Sequence, residues 1–501
     1  MHIDHRHKLV VKDLGIDTYN ENIIFLRADS HVCISEGFTA LTRVIVQNKS
    51  NRMIATLNVV TSNIIRNGEA GLSFEAMKRL DVKEGDSIFV SHLRPIDSLS
   101  KVRAKIYGKD LDDAAYHEII VDVVAGHYSA IEIAAFVSAC AGDNLTVNEM
   151  TSLTKAMIST GNIMKWPNQM ILDKHCVGGL PGNRTTPIVV SIVAAAGLTI
   201  PKTSSKAITS PAGTADTMET MTTINLSVEQ IQVVVEKEGG CIAWGGAVKL
   251  SPADDLLITI EKALEIDGEG QMIASVLSKK AAAGSTHVVI DIPVGPTAKV
   301  RSQEEAMKLQ YYFTAVGKAI GIHTEIIITD GTQPVGKGIG PVLEALDVLS
   351  VLQNESEAPL DLKERAITLA AALLKLSGQY PPGKETEVAR TLLENGSAYK
   401  KFVSICEAQG GFKTPELAKH KFDVLANKKG VVHSIDNRKL ARIAKLAGAP
   451  KVPSAGVLYN APLGKKIDKG DLLFSIYSES TGELEYAKEY LNSLTTVIEL
   501  I

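Results

Sequence analysis

The chain has 501 residues, of which 45% are apolar and 22% are charged, a composition that is ordinary for a globular protein. Its 53 basic and 57 acidic residues leave a formal net charge of −4, which excludes a general electrostatic attraction to nucleic acid or anionic membranes. The longest apolar stretch, at residues 187–197, is too short to cross a bilayer. A polar N-terminus and five scattered cysteines without a CxxC pair are typical of a cytoplasmic protein with neither disulfides nor a zinc ribbon.

Short β-branched runs predict a small β-barrel over residues 1–93. These runs lie at residues 7–11, 23–26, 42–46 and 53–60. A helix at 74–79 and a strand at 87–91 follow them. Residues 94–168 have apolar positions at helical spacing, which predicts a helical lobe with helices at 112–126, 131–141 and 147–160. Ser129 and Thr146 each precede a glutamate by three residues, the spacing of a capping box.

From residue 169 strands and helices alternate, which predicts a large, doubly wound, mostly parallel α/β domain over residues 169–250 and 285–429. The expected strands lie at 170–172, 198–201, 241–244, 287–292 and 324–329. Two helices, at 251–266 and 270–283, interrupt the alternation, and we expect residues 251–284 to join the helical lobe. Residues 430–501 are β-rich again, which is typical of a small α+β domain.

The loop at residues 173–186, DKHCVGGLPGNRTT, predicts an anion site between a strand and a helix. Its glycines let backbone N–H groups converge, and the following helix adds the positive end of its dipole. Lys174, Thr185 and Thr186 supply further donors. A glycine-rich turn without a ligand is the alternative, but two basic side chains, a histidine and two threonines in one loop favour the anion site. No GK[ST] sequence closes the loop, so it is not a Walker loop.

Three more segments carry polar residues that fit either a site or an ordinary structural role. Residues 202–214 are rich in hydroxyl and ammonium groups, which suit a phosphate and a sugar but also a solvated loop. Asp267, taken alone, is better explained as the N-cap of the helix at 270, and residues 275–280 as a polar helix face. Residues 329–341 form either a further wall of the same crevice or a connection.

Taken together, these motifs resemble those of the thymidine phosphorylase family. KHCxGG at 174–179, the Ser204 to Thr214 segment and SxxSKK at 275–280 are similar to its phosphate, sugar and base loops. The longer forms, GLPGNRTT at 179–186 and PKTSSKAITSPAGTADT at 201–217, resemble the subgroup that contains AMP phosphorylase. That subgroup also has an additional N-terminal domain, to which residues 1–93 correspond.

The resemblance implies a pentosyltransferase that uses inorganic phosphate to release a base and a pentose 1-phosphate, or ribose 1,5-bisphosphate from a nucleotide. It implies small-molecule partners, no metal or organic cofactor, and a homodimer or larger homo-oligomer. The implied phosphate ligands are Lys174, Thr186, Ser204 and Thr214. The implied nucleotide ligands are Gly179, Ser205, Lys206, Ala207, Ile208, Thr209, Ser210, Thr214, Ser275 and Lys299. Asp267 matches the proton donor to the base, a role that His175 takes in the shorter pyrimidine phosphorylases.

Two departures leave the substrate open between AMP and thymidine. Cys176 stands where the family usually has serine, and residues 256–262 lack the arginine that holds a pyrimidine ring. A phosphoribosyltransferase similar to the anthranilate enzyme would share the fold, but residues 178–186 contain no acidic residue to hold magnesium. A biotinyl or lipoyl carrier, suggested by residues 464–471, lacks a lysine at an evident hairpin tip.

Overall fold

The computed structural model describes residues 8–18, 21–207, 210–248, 250–266 and 268–501. The chain divides into two compact units, Met1–Ala139 with Thr259–Glu265, and Cys140–Ile258 with Ile266–Ile501. Among the helices that are described, none is both long and apolar enough to span a membrane.

A closed six-stranded β-barrel begins the first unit, as the sequence predicted. Its strands are β1 (Lys8–Asp13), β2 (Ile23–Arg27), β3 (Arg43–Gln47), β4 (Arg52–Val60), β5 (Glu69–Leu72) and β6 (Ser87–His92). Around the barrel they follow the order β1, β5, β2, β4, β3, β6. Alternate residues such as Leu9, Val11, Ile24 and Leu26 fill the interior, which is the periodicity that a half-buried strand requires.

Strand β5 and the short helix α1 (His31–Glu36) have no counterpart among the predicted elements. Strand β5 reads EAGL and contains no β-branched residue, so only its pairing with β1 and β2 makes it a strand. Helix α1 is too short to show a helical period. The predicted helix at 74–79 is present as α2 (Phe74–Leu80).

The predicted helices after the barrel are present. They are α4 (Asp113–Val124), α5 (Ala130–Cys140) and α6 (Val147–Ser159), and they follow an unpredicted helix, α3 (Leu99–Ile106). Both capping boxes form: Ser129 N donates to Glu132 Oε2 at 2.6 Å, and Thr146 N donates to Glu149 Oε2 at 3.1 Å.

The second unit contains the predicted α/β arrangement. Its strands are β7 (Leu172–Cys176), β8 (Ile200–Ser204), β9 (Gly240–Trp244), β10 (His287–Val294), β11 (His323–Asp330) and β12 (Gly338–Ile339). Its helices are α7 (Thr185–Ala195), α8 (Thr214–Glu219), α9 (Val228–Glu238), α10 (Pro252–Leu264, shared with the first unit), α11 (Glu269–Ala282), α12 (Gln303–Ala319), α13 (Pro341–Leu352), α14 (Leu360–Ser377), α15 (Glu385–Glu394) and α16 (Ser397–Ala408).

Parallel pairing organises these strands. Strand β10 lies between β7 and β11 and is parallel to both, and β8 is parallel to β9. Helix α7 packs against α14 and α16 in the largest apolar core, where Ile188, Val189, Ile192 and Val193 are fully buried. Helix α11 packs against α6 and α12. The alternation correctly predicted a mostly parallel α/β domain, although its parallel strands form two sheets, β11-β10-β7 and β8-β9, rather than one.

One strand differs from its prediction in a way that matters for the site. We expected the strand at 170–172 and a loop from Asp173, but β7 extends to Cys176. Pairing with β10, from Leu172 opposite His287 to Cys176 opposite Asp291, makes these residues a strand. Their charged side chains conceal the strand from any pattern that is based on apolar residues.

The C-terminal part is the predicted small α+β fold. Its strands are β13 (His420–Leu425), β14 (Gly430–Ile435), β15 (Gly456–Tyr459), β16 (Lys466–Ile467), β17 (Leu472–Ser478) and β18 (Ile498–Leu500), with helices α17 (Asn437–Leu446) and α18 (Thr481–Ser493). One antiparallel sheet has the order β12, β15, β17, β13, and a second has the order β16, β14, β18.

Candidate active site

The buried ammonium group of Lys174 lies at the start of helix α7. The side chain is 1% exposed, and its Nζ donates to Thr185 Oγ1 at 2.9 Å. The nearest carboxylate, Asp291 Oδ2 on the neighbouring strand, is 3.9 Å away. Thr186, the next predicted phosphate ligand, follows Thr185 in the first turn of the same helix. Strand β7 and helix α7 therefore bring the first two predicted phosphate ligands to one place.

Asp173 forms ion pairs with two further lysines, Lys280 and Lys202. Its Oδ2 is 2.7 Å from Lys280 Nζ and its Oδ1 is 3.2 Å from Lys202 Nζ, and the carboxylate is fully buried. Burial alone would raise the pKa of Asp173, but the two ammonium groups hold that pKa below its usual range. The carboxylate therefore stays charged and holds Lys280 of α11 and Lys202 of β8. Burial lowers the pKa of Lys202 to about 7, against the attraction of Asp173.

His175 is neutral in this environment. Burial disfavours the imidazolium, and the ammonium groups of Lys280, Lys202, Lys174 and Lys279 lower the pKa of His175 further, to well below its ordinary value. At neutral pH the side chain therefore offers one N–H donor and one nitrogen acceptor rather than a positive charge.

The glycine-rich loop after β7 needs its glycines for conformation and for space. Gly178, Gly179 and Gly182 have φ values of +85°, +80° and +69°. A Cβ on Gly179 would lie 2.4 Å from Lys299 Cβ and 2.6 Å from Lys299 N. Only glycine fits there, and its absent side chain allows the segment that carries Lys299 to approach the loop.

Arg184 connects this loop to the second one. Its Nη1 donates to Thr214 Oγ1 at 2.8 Å and its Nη2 donates to Ala212 O at 3.0 Å. Its Nε donates to Glu344 Oε2 at 2.7 Å. Burial raises the pKa of Glu344 to about 7, against the opposing effect of Arg184. The sequence placed Arg184 in the loop that is predicted to bind an anion. It did not show that the Arg184 side chain donates a hydrogen bond to Thr214.

The second loop folds back on itself around Asp216. Asp216 Oδ2 accepts hydrogen bonds from Ala207 N at 2.6 Å and from Gly213 N at 2.8 Å. Ser204, at the end of β8, is 7% exposed, and its hydroxyl is buried without a hydrogen-bond partner in the described part of the chain. A buried hydroxyl without a partner is costly unless a ligand or water completes it.

The predicted nucleotide ligands of this loop differ in the contacts that they make. Lys206 is engaged elsewhere, with its Nζ 2.8 Å from Glu219 Oε2 and 5.3 Å from the centre of the Trp244 ring. Ser210 donates from Oγ to Ala212 O at 3.0 Å. Ser205 lies between Ser204 and Lys206, where its carbonyl accepts from Ala215 N at 3.4 Å. Ile208 and Thr209 lie outside the described residues, as does Asp267.

Helix α11 brings the third motif to the same region. Lys280 reaches Asp173, as described above. The preceding residue, Lys279, has its Nζ 3.4 Å from Oγ of Ser275, one turn earlier, and 2.5 Å from Asp254 Oδ2. In the described residues, no group of three or more histidine, cysteine or acidic side chains is placed to hold a metal ion. The described side chains of this region are ammonium, hydroxyl, imidazole and carboxylate groups.

Comparison with known proteins identifies the family of this chain. The model of the "Glycosyl transferase family, a/b domain" matches residues 168–399, and that of the family's helical bundle domain matches residues 100–161. The "Pyrimidine nucleoside phosphorylase C-terminal domain" matches residues 431–497. A Legionella pneumophila (strain Philadelphia 1) protein named "Putative thymidine phosphorylase" is 56% identical over 494 residues, 99% of this chain and 96% of that protein. The chain belongs to the thymidine phosphorylase family.

Other relatives agree with this membership. A Hahella chejuensis protein with the same printed name is 54% identical over 483 residues, which are 96% of each chain. Membership in the thymidine phosphorylase family makes this chain a glycosyltransferase of the nucleoside phosphorylase kind, a pentosyltransferase, as the sequence predicted.

Solved structures show the same fold at low identity. Anthranilate phosphoribosyltransferase from Thermus thermophilus has a TM-score of 0.51 and 17% identity, and it covers 62% of this chain and 98% of its own. The Saccharomyces cerevisiae enzyme, in complex with PRPP and Mg, has a TM-score of 0.50 and 14% identity, and it covers 64% and 99%. At such identities the likeness concerns the fold alone.

Cys176, the departure from the family's usual serine, is a protonated thiol. Burial and the nearby Asp291 carboxylate raise its pKa to about 12. Asn183 donates from Nδ2 to Cys176 Sγ at 3.4 Å and to Asp291 Oδ2 at 3.2 Å. The thiol is only a weak hydrogen-bond donor, whereas the ammonium and hydroxyl groups around it are stronger ones.

Proposed function

We propose that this chain catalyses phosphorolysis of a nucleoside 5′-monophosphate, with AMP as the preferred substrate. An oxygen of inorganic phosphate forms a bond to C1′ as the C1′–N bond to the base breaks. The electron pair of that bond goes to the base, which takes up a proton. The products are the free base and ribose 1,5-bisphosphate.

The buried cation and the unpartnered hydroxyl at the ends of β7 and β8 carry the proposal. Lys174 brings a positive charge to the first turn of α7, where the N–H groups and the helix dipole already favour an anion. The Ser204 hydroxyl is buried without a partner in the described part of the chain. With Thr186 and Thr214 they form a set of donors suited to phosphate, and a dry site makes each of these interactions stronger than it would be in water.

Thr214 is held in a state that suits an anion. Its hydroxyl oxygen accepts a hydrogen bond from Arg184 Nη1, so the hydroxyl proton is free to point elsewhere. A phosphate oxygen is an acceptor of that proton. We propose that Arg184 and Glu344 preset this donor before substrate arrives, which lowers the cost of binding.

The departing base needs a proton, and His175 and Asp267 are the two residues to consider as its source. His175 is neutral at pH 7 and is surrounded by lysines, so it is a poor source of a proton but a good neutral hydrogen-bond partner. We propose Asp267 as the acid, on the family resemblance, with a pKa that rises when bound substrate excludes water. We propose that the lysines near His175 also stabilise negative charge that develops on the base.

Thymidine is the second candidate substrate, because the Legionella pneumophila and Hahella chejuensis relatives carry the name "Putative thymidine phosphorylase". Support for AMP comes from the longer loops at 179–186 and 201–217, the N-terminal barrel, and the absence of an arginine at 256–262. We propose that Lys299, which packs against Gly179, contacts the nucleotide.

The experiment is a substrate panel of nucleosides and their 5′-monophosphates, incubated with phosphate and scored by chromatography for released base. We expect a higher kcat/KM for AMP than for thymidine, and a large loss on AMP for Asp267→Asn with a smaller loss for His175→Ala. If thymidine is cleaved faster and Asp267→Asn is silent, the enzyme is a pyrimidine phosphorylase.

A further inference from the structure

A pocket of about 520 Å³ lies in the second unit, where the segment after β10 meets helices α17 and α18. Its size is that of a small-molecule site. The lining that matters for binding consists of Thr297, Arg301, Arg438, Lys439, Arg442 and Tyr490. Four of these six are cations, and Tyr490 adds an aromatic ring and a hydroxyl group.

In the part of the chain that the structure describes, carboxylates balance only one of these four cations, Lys439. Asp436 is the acidic residue in the lining, and its carboxylate caps α17 by accepting from Arg438 N at 3.1 Å and Lys439 N at 3.0 Å. Its Oδ2 is also 3.4 Å from Lys439 Nζ. No ion pair is found for Arg301, Arg438 or Arg442 within the described ranges.

The placement of the cations is unfavourable without a ligand. Arg438 and Lys439 lie in the first turn of α17, where the helix dipole disfavours positive charge. Arg438 and Arg442 are four residues apart on one helix, a spacing at which like charges repel each other. A bound anion would offset both effects, and guanidinium groups pair with phosphate oxygens in a matching geometry.

The pocket is connected to the candidate active site by a short segment. Arg438 Nη2 donates to Ala298 O at 3.3 Å, and Asn437 N donates to Thr297 Oγ1 at 3.2 Å. The next residue, Lys299, packs against Gly179 of the phosphate loop. A ligand in the pocket therefore contacts the segment that positions Lys299.

We propose that this pocket is a second anion site, which binds a phosphorylated small molecule and acts on the active site through residues 297–299. This second-site proposal holds whichever substrate is cleaved, because the pocket residues take no part in the proposed reaction. These residues are Arg301, Arg438, Arg442 and Tyr490. A change of phosphate or nucleotide KM on binding is its expected consequence.

The test is calorimetric titration of the full chain with inorganic pyrophosphate at 0.15 M KCl. A Lys174→Ala background weakens binding in the catalytic loop. We expect pyrophosphate to bind this background, and the dissociation constant to rise at least tenfold when Arg301→Gln and Arg442→Gln are added. Arg103→Gln, on α3 of the first unit, is the matched control and is expected to leave binding unchanged.

Two results would overturn the proposal. One is the same dissociation constant with and without the two pocket substitutions. The other is no binding to the Lys174→Ala protein at millimolar pyrophosphate. Because the two arginines are exposed, circular dichroism and the melting temperature should match the parent protein. The comparison therefore reports on binding rather than on folding.

Discussion

Arg184 Nη1 donates a hydrogen bond to Thr214 Oγ1 at 2.8 Å, across 30 residues of sequence. The same guanidinium pairs with Glu344 of α13. One side chain thus links the loop after β7, the loop after β8 and the helix that follows β12. Thr214, one of the donors proposed for phosphate, is therefore held by this link and not by its own loop alone.

Arg184→Lys should raise the KM for phosphate about ten- to hundredfold, since a hydrogen bond to a charged group is worth roughly 1.5–3 kcal/mol. Lysine keeps the charge but cannot contact Thr214, Ala212 and Glu344 at once. The measurement is steady-state kinetics with phosphate as the varied substrate. Arg390→Lys, at the exposed pair with Glu364, is the control. A KM for phosphate equal to that of the unchanged protein would remove Arg184 from this role.

Asp173→Asn should destabilise the fold by up to about 3–5 kcal/mol, because it leaves the buried ammonium group of Lys280 without its partner. Lys202, whose pKa burial lowers to about 7, adds less because it can lose its proton. Denaturant unfolding measures the loss. The control is Glu387→Gln, which breaks an exposed pair with Lys384 and should cost at most about 1 kcal/mol. A loss for Asp173→Asn as small as that of the control would contradict the charge network described here.

The neutral state of His175 predicts a pH dependence of stability. Below pH ~6.5 the unfolded chain binds a proton at this histidine and the folded chain does not, so this contribution falls as the pH decreases. The unfolding free energy of the unchanged protein, relative to His175→Gln, should fall by up to about 1.4 kcal/mol between pH 7.5 and 5.5. Parallel urea titrations at the two pH values measure it.

The exposed His433→Gln controls for the loss of an imidazole from the surface. The contradicting result concerns the unfolding free energy of the unchanged protein minus that of His175→Gln. If this difference is the same at both pH values, or becomes more positive as the pH falls, the imidazole of His175 is not held neutral.

Cys176 should react slowly with iodoacetamide at pH 8, because the reactive form is the thiolate and burial keeps the pKa near 12. Peptide mass spectrometry of briefly treated native protein should find Cys176 unmodified, whereas the same peptide from urea-denatured protein should be alkylated. Rapid alkylation in the native state would show that the thiol is exposed and ionised. Cys176→Ser should keep phosphorolysis, since serine gives a stronger hydrogen bond.

The sequence predicted what depends on local chemistry. Glycines at 178, 179 and 182 indicated a loop, and all three have a positive φ. The anion site indicated by the hydroxyl and ammonium residues of two successive loops stays a prediction. The capping boxes at Ser129 and Thr146 are also local, and both form. The barrel and the parallel sheet followed from β-branched runs and from the alternation of strands and helices.

What the sequence did not show depends on contacts between distant residues. Asp173 is a strand residue only because β10 pairs with it, and it is an ion-pair partner only because α11 and β8 bring Lys280 and Lys202 to it. Likewise, the partners of Arg184 lie 30 and 160 residues away. The depressed pKa of His175 depends on lysines from β7, β8 and α11. No pattern in a single sequence carries these distances.

In the proposed reaction, phosphate held at Lys174 attacks C1′ of the substrate's sugar. The most direct measurement uses AMP and ¹⁸O-labelled inorganic phosphate, with mass spectrometry of the sugar product and chromatography of the base. We predict that base release requires phosphate, that a labelled phosphate group is found on C1 of the pentose, and that Lys174→Ala reduces both strongly. Base release at the same rate without phosphate, with oxygen from water on C1, would show that the chain is a hydrolase and would contradict the account.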